Sequence, residues 1–545
     1  MSSVSPHEFE ALKKSISKVA KGKSVVAACV YGSRAAGYAR PDSDIDLLVV
    51  LENYPYLLKY VYFSESNMKV SALVVDRKSL EHDAKTGYLG EFVAGRLLHI
   101  YASITGPKFL SDVERTYKQR IILEEVRGIV DSTSVLSTDI LFPLEYIVFS
   151  KIKRRTLLYP SAAYSYYRTY TTRKQNLEFA LGGYQEALHD IVHQDNDLFV
   201  RRGEFLQISE KRILTEKGKV RLKLTKRLRE FNSYFVQTYA GRRILHLAVK
   251  EAESKIRRHV KQQVNLPDFM SCPKMAYWRL PEGRLLVNRK DWLEELVGLQ
   301  GNYSVSKKRL GDLNSRTVLY VIKHGSGEYK IAVKELAKSK AVKWAALSLW
   351  TSPVKRFRVD PLFRLGSEYK ALRYIRSLGL HTPRVEAVVL DKKLLVTQFI
   401  EGMTLSNVIR DYSDNKGDSG WLYHAGEQVA RIHIDGSSLG NIKPKNIIVS
   451  SNNKLLYFTD VEQFVFNGGD QAWDLAQFIS WGLKSTRNTS LASKIVREFL
   501  QGYIQVAGNN NVVKLAKSRR YIESFYPVLV PSVAYAIKKE IKNIA

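Results

Sequence analysis

The sequence predicts a multidomain α+β protein, and three observations lead to that fold class. Its 545 residues suffice for three or four domains at roughly 100–200 residues each. Hydrophobic residues make up 45% and charged residues 26% of the chain, a balance typical of globular rather than disordered proteins. The residue pattern changes twice along the chain. We therefore predict an α/β domain over 1–115, a helical region over 116–265 and a third domain over 266–545.

The balance of charge indicates what kind of partner the protein binds. The chain has 85 Lys and Arg against 54 Asp and Glu, which is a net charge of +31. Such an excess concerns partners rather than fold. RNA or another nucleic acid is the first candidate, because lysine and arginine contact phosphates. A membrane surface is the second, and the charge-rich surface of a thermophilic protein is the third, although such surfaces add Glu along with Lys.

Cysteine content and hydropathy exclude several other classes. Cys29 and Cys272 are the two cysteines, too few for a disulfide framework or a cysteine-based zinc site. No apolar stretch approaches the ~20 residues that cross a bilayer, and residues 1–14 contain no apolar signal core. We therefore expect a cytoplasmic protein that does not enter the membrane.

The first domain is predicted to contain a helix and three strands. An amphipathic pattern over 8–19 predicts the helix. Strands are predicted over 24–30, 45–51 and 69–76, since each is rich in the Val, Leu and Ala of buried strands.

The middle region is predicted to be mostly helical and strongly basic. A helix is expected over 176–192, followed by a hairpin over 197–208 with a turn at Arg202 and Gly203. A helix followed by a basic hairpin resembles a winged helix, with an ordinary helical connector as the alternative. Residues 201–230 hold eleven Lys or Arg against four acids, and we interpret their densest part as a phosphate-binding surface. That part comprises Arg221, Lys223, Lys226, Arg227 and Arg229, for which a solvated helix face is the alternative.

The first group of candidate site residues follows the first predicted strand. Gly32 permits a sharp turn there, and Ser33 opens a helix, so its hydroxyl and nearby backbone N–H groups suit a triphosphate. Asp44 and Asp46 lie two residues apart on a strand, so both carboxylates face the same side. Paired carboxylates of this kind bind Mg²⁺ together with phosphate oxygens.

This Gly-Ser and Asp-x-Asp pattern resembles the nucleotidyltransferase superfamily of polymerase-beta type, particularly its minimal members, over residues 24–100. The resemblance implies binding of Mg²⁺ and a nucleoside triphosphate by Ser33, Asp44 and Asp46. The family carries a third carboxylate on a later strand, where this sequence has Ser71. Asp76, at the end of that strand, is a possible substitute or a turn residue. Nucleotidyl transfer and a binding fold without catalysis both stay open.

The last domain carries a second group of polar residues in a fixed order. Strands are predicted over 317–322 and 329–336, and the second of these includes Lys334. A helix over 365–378 carries Glu368. The segments 440–449 and 456–476 then supply Lys-Pro-x-Asn, an Asp and Trp-Asp-Leu-Ala. A lysine that ends such a strand can contact ATP phosphates, with a glutamate to fix it.

Together these residues resemble the atypical, archaeal-like kinases of the RIO and Kae-associated type, and more distantly the aminoglycoside phosphotransferases. The resemblance covers residues 300–500 and implies a bilobal protein-kinase-like fold, with lobes over 300–402 and 403–545. It also implies binding of ATP and Mg²⁺. Carried over by position, the resemblance implies that Lys334 binds phosphate and that Glu368 orients the Lys334 side chain. It implies that Asn446 and Asp460 bind Mg²⁺ and that Lys443 lies near the γ-phosphate. The implied role of Asp474 is structural.

Two departures from that family concern the phosphate-covering loop and the catalytic residue. In place of a glycine-rich loop we expect a basic loop over 306–312, with Ser306 and Gly311 near the phosphates. Asn441 occupies the position of the catalytic aspartate, and an asparagine cannot accept a proton at neutral pH. It can still orient an acceptor hydroxyl, since positioning and electrostatics supply most of the acceleration of phosphoryl transfer.

The leading hypothesis is an ATP-dependent kinase that phosphorylates RNA, at a tRNA ribose hydroxyl, with the N-terminal domain helping to bind RNA or nucleotide. The alternatives are a nucleotidyltransferase with a regulatory kinase-like domain, a non-catalytic RNA-binding protein, and a protein kinase, because fold does not identify substrate.

Overall fold

A computed structural model describes most of the chain, in ranges separated by short gaps and one long one. The described residues are 6–65, 68–195, 197–210, 213–216, 219–222, 266–287, 291–298, 303–310, 316–325, 327–336, 357–414 and 420–544. They fall into two compact units. The first lies within Met1–Ser132, Ile140–Thr215 and Arg221–Arg279, and the second within Thr133–Asp139, Glu216–Val220 and Leu280–Ala545.

The first unit contains a five-stranded sheet in the order β3-β4-β2-β1-β5. Its strands are β1 (Val25–Tyr31), β2 (Ile45–Leu51), β3 (Leu58–Glu65), β4 (Met68–Asp76) and β5 (Ala102–Thr105). Strands β2 and β4 are parallel, and the other neighbours are antiparallel. The three predicted strands are therefore confirmed as β1, β2 and β4, the inner strands of the sheet. Helix α1 (Pro6–Ala20) packs its Leu12 and Ile16 on one sheet face, which confirms the predicted first helix.

Helices make up most of the remainder of the first unit. They are α2 (Gly32–Ala36), α3 (Arg77–Thr86), α4 (Pro107–Thr133), α5 (Leu144–Leu158), α6 (Ala163–Thr172), α7 (Lys174–Gln194), α8 (Asp268–Ser271) and α9 (Pro273–Tyr277). Residue 115, the predicted end of the first domain, lies inside α4.

A buried ionic cluster contributes to joining α4 and α5 to the sheet domain. The Glu91 carboxylate lies 2.8 Å from Arg120 of α4 and 2.6 and 3.4 Å from Lys151 and Arg155 of α5. Burial opposes ionisation of Glu91, but these three cations outweigh it and hold its pKa well below the usual range. A buried charge that lost such partners would be strongly destabilising.

The predicted hairpin of the middle region is confirmed by two antiparallel strands. Strands β7 (Phe199–Arg202) and β8 (Phe205–Ile208) pair, with Gly203 at φ 63° in the turn between them. Strand β6 (Leu141–Phe142) joins them as a third strand. A further two-stranded sheet consists of β9 (Ile213–Glu216) and β10 (Lys219–Leu222). Of the predicted phosphate surface, four residues lie outside the described part of the chain: Lys223, Lys226, Arg227 and Arg229.

The second unit begins with a six-stranded sheet in the order β11-β15-β16-β14-β13-β12. Its strands are β11 (Arg284–Leu286), β12 (Ser304–Leu310), β13 (Thr317–His324), β14 (Gly327–Glu335), β15 (Val385–Val389) and β16 (Leu394–Gln398). Helices α10 (Trp292–Val297) and α11 (Pro361–Ser377) accompany it. Strands β13 and β14 and helix α11 confirm the predicted elements there.

The predicted loop over 306–312 is wrong for the residues that the structure describes. Ser306 lies within β12 and pairs with Val321 of β13. Strand β12 is at the sheet edge and is exposed along most of its length. Polar and basic residues suit such an edge because they discourage pairing with other chains. Gly311 and Asp312 lie outside the described residues.

The rest of the second unit is largely helical. A small sheet contains β17 (Gly402–Thr404), β18 (Ile447–Ser450) and β19 (Leu456–Phe458). The helices are α12 (Leu405–Ser413), α13 (Gly420–Ile434), α14 (Gln471–Gly482), α15 (Thr489–Ala507), α16 (Asn511–Ala516), α17 (Arg519–Ile522) and α18 (Pro531–Ile544). Among the described residues, no helix is both long and apolar enough to span a membrane.

Candidate functional site

In the first unit, the turn after β1 lies directly against Asp46. Gly32 has φ 72°, and a Cβ atom there would lie 2.4 Å from Oδ2 of Asp46, so only glycine fits. Ser33 follows in the short helix α2. Asp44 precedes β2 by one residue and Asp46 by two. The structure therefore brings Gly32 next to Asp46, with Ser33 and Asp44 adjoining them in sequence.

The third carboxylate expected beside these two is absent from β4. Ser71 pairs with Asp46 across the parallel ladder, which places a hydroxyl where the acid was expected. Asp76 pairs with Leu51 at the other end of the strands. Its carboxylate accepts hydrogen bonds from the backbone N–H groups of Tyr54 at 2.9 Å and Ser79 at 3.3 Å, and it caps α3. Asp76 is therefore a capping residue rather than a third ligand.

In the second unit, Lys334 of β14 contacts three buried or half-buried carboxylates. Its Nζ donates to the two carboxylate oxygens of Glu368, on α11, at 2.7 and 2.8 Å. It also contacts Asp460 and lies 3.3 Å from Glu462. Burial raises the pKa of Glu368 to about 7, even though Lys334 favours its ionised form. Burial opposes the charge of Lys334, but the acids outweigh it and raise its pKa, so the ammonium stays charged.

A second ion pair adjoins this cluster, and the sequence did not predict it. Arg364 precedes Glu368 by one helical turn, so both side chains lie on one face of α11. Its guanidinium lies 2.8 Å from the carboxylate of Glu462, and both side chains are almost fully buried. The only sequence signal for Glu462 was its place two residues after Asp460.

Asp474 holds the loop that precedes the candidate catalytic residues. Its carboxylate accepts hydrogen bonds from the backbone N–H groups of Leu439 at 2.6 Å and Gly440 at 2.8 Å. His433 lies 3.2 Å from the same carboxylate. Because Asp474 is fully buried and bonded to the loop backbone, these contacts agree with the structural role expected for it.

The loop carries Asn441 and Asn446 to one small pocket that Asp460 also lines. Nδ2 of Asn446 lies 3.3 Å from Oδ2 of Asp460. Oδ1 of Asn441 accepts a hydrogen bond from Nε2 of Gln477 at 3.4 Å. Asp460 has φ 57°, a left-handed conformation that is uncommon for residues other than glycine and clusters at functional sites.

Lys443 lies beside an aromatic ring on α14. Its Nζ is 4.3 Å from the centroid of the Trp481 ring, a cation–π contact that holds the ammonium in place. Lys443 is half-buried, so its placement near a phosphate stays a prediction.

The residues around Lys334 fit Mg²⁺ by charge and by ligand type. The three carboxyl groups of Glu368, Asp460 and Glu462 lie within reach of two cations, Lys334 and Arg364, so carboxyl groups outnumber cations among these five residues. The carboxylate of Asp460 offers oxygen ligands of the kind that Mg²⁺ prefers, and the side chain of Asn446 lies beside it, with its Nδ2 donating to Oδ2 of Asp460.

Comparison with known proteins identifies the first of these regions. Residues 13–99 match the family model described as polymerase beta, nucleotidyltransferase. The first unit contains a nucleotidyltransferase domain. This confirms the predicted resemblance of the N-terminal domain, and its transferase-type fold carries Ser33, Asp44 and Asp46.

Solved structures also show similarity to the chain, over less than half of its length. One is WaaP in complex with acyl carrier protein, with 12% identity, a TM-score of 0.26, and coverage of 44% of this chain and 98% of that one. Another is the kinase domain of PknI from Mycobacterium tuberculosis, with 10% identity, a TM-score of 0.24, and coverage of 46% and 98%. Both TM-scores are too low to assign a fold. No curated protein matches the chain in sequence.

Proposed function

We propose that the second unit is an ATP-dependent phosphotransferase of the kinase type, and that its acceptor is RNA, at a tRNA ribose hydroxyl. The observation that carries the proposal is the contact of Lys334 with Glu368 and Asp460. In protein kinases, a strand lysine paired with a helix glutamate binds the α- and β-phosphates of ATP, and an aspartate nearby binds Mg²⁺.

Each residue of the cluster has a role in this proposal. Lys334 binds phosphate, and Glu368 holds its ammonium in place. Asp460 and Asn446 would hold Mg²⁺, which neutralises charge on the phosphates when it is bound. In this proposal a phosphate oxygen takes the place of Asp460 at the ammonium of Lys334, and Mg²⁺, when bound, offsets the carboxylate charge of Asp460.

Asn441 limits the rate rather than the type of reaction. Its amide cannot act as a general base, and Gln477 holds its Oδ1. The Nδ2 group of Asn441 is thus available to hydrogen-bond an acceptor or phosphate oxygen. Because phosphoryl transfer has a loose transition state, positioning alone supports slow transfer.

The net charge of +31 supports RNA as the acceptor, because lysine and arginine supply most non-specific affinity for phosphate backbones. The test is incubation with γ-labelled ATP and Mg²⁺ in the presence of bulk tRNA or of protein acceptors. We expect label in the tRNA, and its loss in Asp460→Ala. As a control, Asp414→Ala changes an exposed aspartate of the same unit. Label that appears only in protein would reject RNA as the acceptor.

A second candidate function is nucleotidyl transfer by the first unit, with a regulatory second unit. The tight fit of Gly32 against Asp46 and the family match favour it. It predicts transfer from α-labelled but not γ-labelled nucleotide, lost in Asp44→Ala and kept in Asp460→Ala. If neither α-label nor γ-label were transferred and the protein bound RNA, a non-catalytic RNA-binding protein would be favoured.

A further inference from the structure

Four side chains form a row across the nucleotidyltransferase sheet, on the face that carries Asp46. Tyr31 pairs with Asp46, Asp46 with Ser71, and Ser71 with Tyr62. Paired residues on neighbouring strands point to the same sheet face. Strands lie about 4.8 Å apart, so Tyr62 stands two strand spacings, roughly 10 Å, from Asp46.

Tyr62 is a large aromatic residue that is 72% exposed on the edge strand β3. Its ring stacks on the ring of Tyr60, with centroids 5.9 Å apart and planes 13° from parallel. The hydroxyl of Tyr60 accepts a hydrogen bond from Arg96 at 3.2 Å, and Phe92 meets its ring edge-on. Tyr62 is thus held at one ring face and exposed elsewhere. Edge strands normally avoid exposed apolar surface, and an aromatic ring exposed on one of its faces is therefore unusual at this position.

The uncovered face of the Tyr62 ring is turned toward the end of the sheet at which Asp44 lies. Strand β3 runs antiparallel to β4, which is parallel to β2. The step from Tyr60 to Tyr62 therefore runs in the same direction as the step from Asp46 to Asp44. Because Tyr60 covers the ring from behind, the other face of Tyr62 looks toward the end of the sheet where Asp44 lies.

Two cations lie on this sheet face, one on each side of the row that contains Asp46. Lys69 is exposed and lies two residues before Ser71, on the same face. The guanidinium of Arg96 lies 5.2 Å from the ring centroid of Tyr31, on β1, and also reaches Tyr60, on β3. It therefore lies over the strands between them, which carry Asp46 and Ser71. Two carboxylates, two cations and an exposed ring together match a nucleotide with bound Mg²⁺.

We propose that Tyr62 is the base-binding platform of the nucleotidyltransferase domain. The base of a nucleoside triphosphate stacks on the Tyr62 ring while its phosphates lie near Asp44 and Asp46. The proposal rests on the nucleotide site proposed for this unit. Because every base has an aromatic face, stacking of this kind tolerates any of the four bases.

The test measures binding of ATP and of inorganic tripolyphosphate, each with Mg²⁺, by isothermal titration calorimetry. It uses the full chain with Asp460→Asn, which removes a Mg²⁺ ligand of the second unit. Loss of one base–aromatic stack should weaken ATP binding about 5- to 150-fold in Tyr62→Ala and leave tripolyphosphate binding unchanged. Tyr62→Phe should bind ATP as the parent does. Tyr535→Ala, which removes a tyrosine that is 71% exposed on the second unit, is the matched control.

Photo-crosslinking with 8-azido-ATP gives a local readout, and we expect label on the β3 peptide Leu58–Glu65. Equal ATP binding in Tyr62→Ala and its parent would overturn the platform. If Asp46→Asn then weakened both ligands, the phosphate site would stand without the platform. Equal weakening of both ligands in Tyr62→Ala would also overturn it, because the ring would then act on the fold. If the parent bound neither ATP nor tripolyphosphate, both the platform and the phosphate site would be rejected.

Discussion

The buried ion pair of Arg364 and Glu462, which adjoins Lys334, is predicted to contribute strongly to the stability of the second unit. Glu462→Gln removes the carboxylate charge that Arg364 contacts at 2.8 Å and Lys334 at 3.3 Å. Lys334 keeps Glu368 and Asp460, so the main loss falls on Arg364, which is fully buried. Breaking a buried ion pair at one partner costs about 3–5 kcal/mol. We expect a loss of that size in the free energy of unfolding.

Asp460→Asn is the contrasting variant. The Asp460 side chain is 36% exposed, and its neutralisation leaves Lys334 with the carboxyl groups of Glu368 and Glu462. Without Mg²⁺, we expect Asp460→Asn to lower the free energy of unfolding by less than about 1 kcal/mol, as for most partly exposed ion pairs. The double variant Arg364→Met with Glu462→Met removes both charges and should be more stable than Glu462→Gln, since apolar replacements of buried pairs are often neutral.

Urea unfolding followed by tryptophan fluorescence measures these differences. Six of the seven tryptophans belong to the Leu280–Ala545 segment of the second unit, so the signal reports mainly on that unit. A cost for Glu462→Gln below about 1 kcal/mol, or equal to that of Asp460→Asn, would refute the reasoning that this pair is a buried structural one.

Three further outcomes follow from single residues. Asn441→Asp keeps the hydrogen bond from Gln477 and adds a general base. The rate of γ-label transfer should therefore rise roughly 10²-fold. An unchanged rate would contradict the placement of residue 441 at the position of the catalytic aspartate. Because burial raises the pKa of Glu368 to about 7 in the fold, the contribution of Glu368 to stability without Mg²⁺ is fully present below its usual pKa of 4.5 and is lost as pH rises from there through 7. Thermal unfolding of Glu368→Gln at several pH values should lack that loss. Gly32→Ala places a Cβ against Asp46 at a positive φ and should weaken binding of Mg²⁺-nucleotide to the first unit, as calorimetry would show.

The inner strands could be predicted from the sequence because burial on both faces leaves a continuous apolar run, as in residues 47–51 of β2. Two of the edge strands, Leu58–Glu65 and Ser304–Leu310, could not. Both strands carry polar and basic residues that are common in loops, and only the pairing with a neighbouring strand shows that these segments are extended.

In the candidate site, too, some residues could be predicted from the local sequence, whereas others are placed only by the tertiary fold. Lys334, Glu368 and Asp460 were predicted from their order along the chain, and the structure brings them into contact. Arg364 was missed because an arginine on a helix usually lies at the surface, and only the tertiary fold places it beside Glu462. Ser306 shows the reverse error, since the segment that the sequence predicted as a loop forms an edge strand, and its role near the phosphates stays a prediction.

The central claim is that the second unit transfers the γ-phosphate of ATP to RNA. The most direct measurement compares transfer of γ-label and α-label to tRNA by the intact chain, Asp44→Ala and Asp460→Ala under the same conditions. We predict γ-label in tRNA that Asp460→Ala abolishes and Asp44→Ala keeps. Transfer of α-label alone, or γ-label in tRNA that survives Asp460→Ala, would contradict the claim.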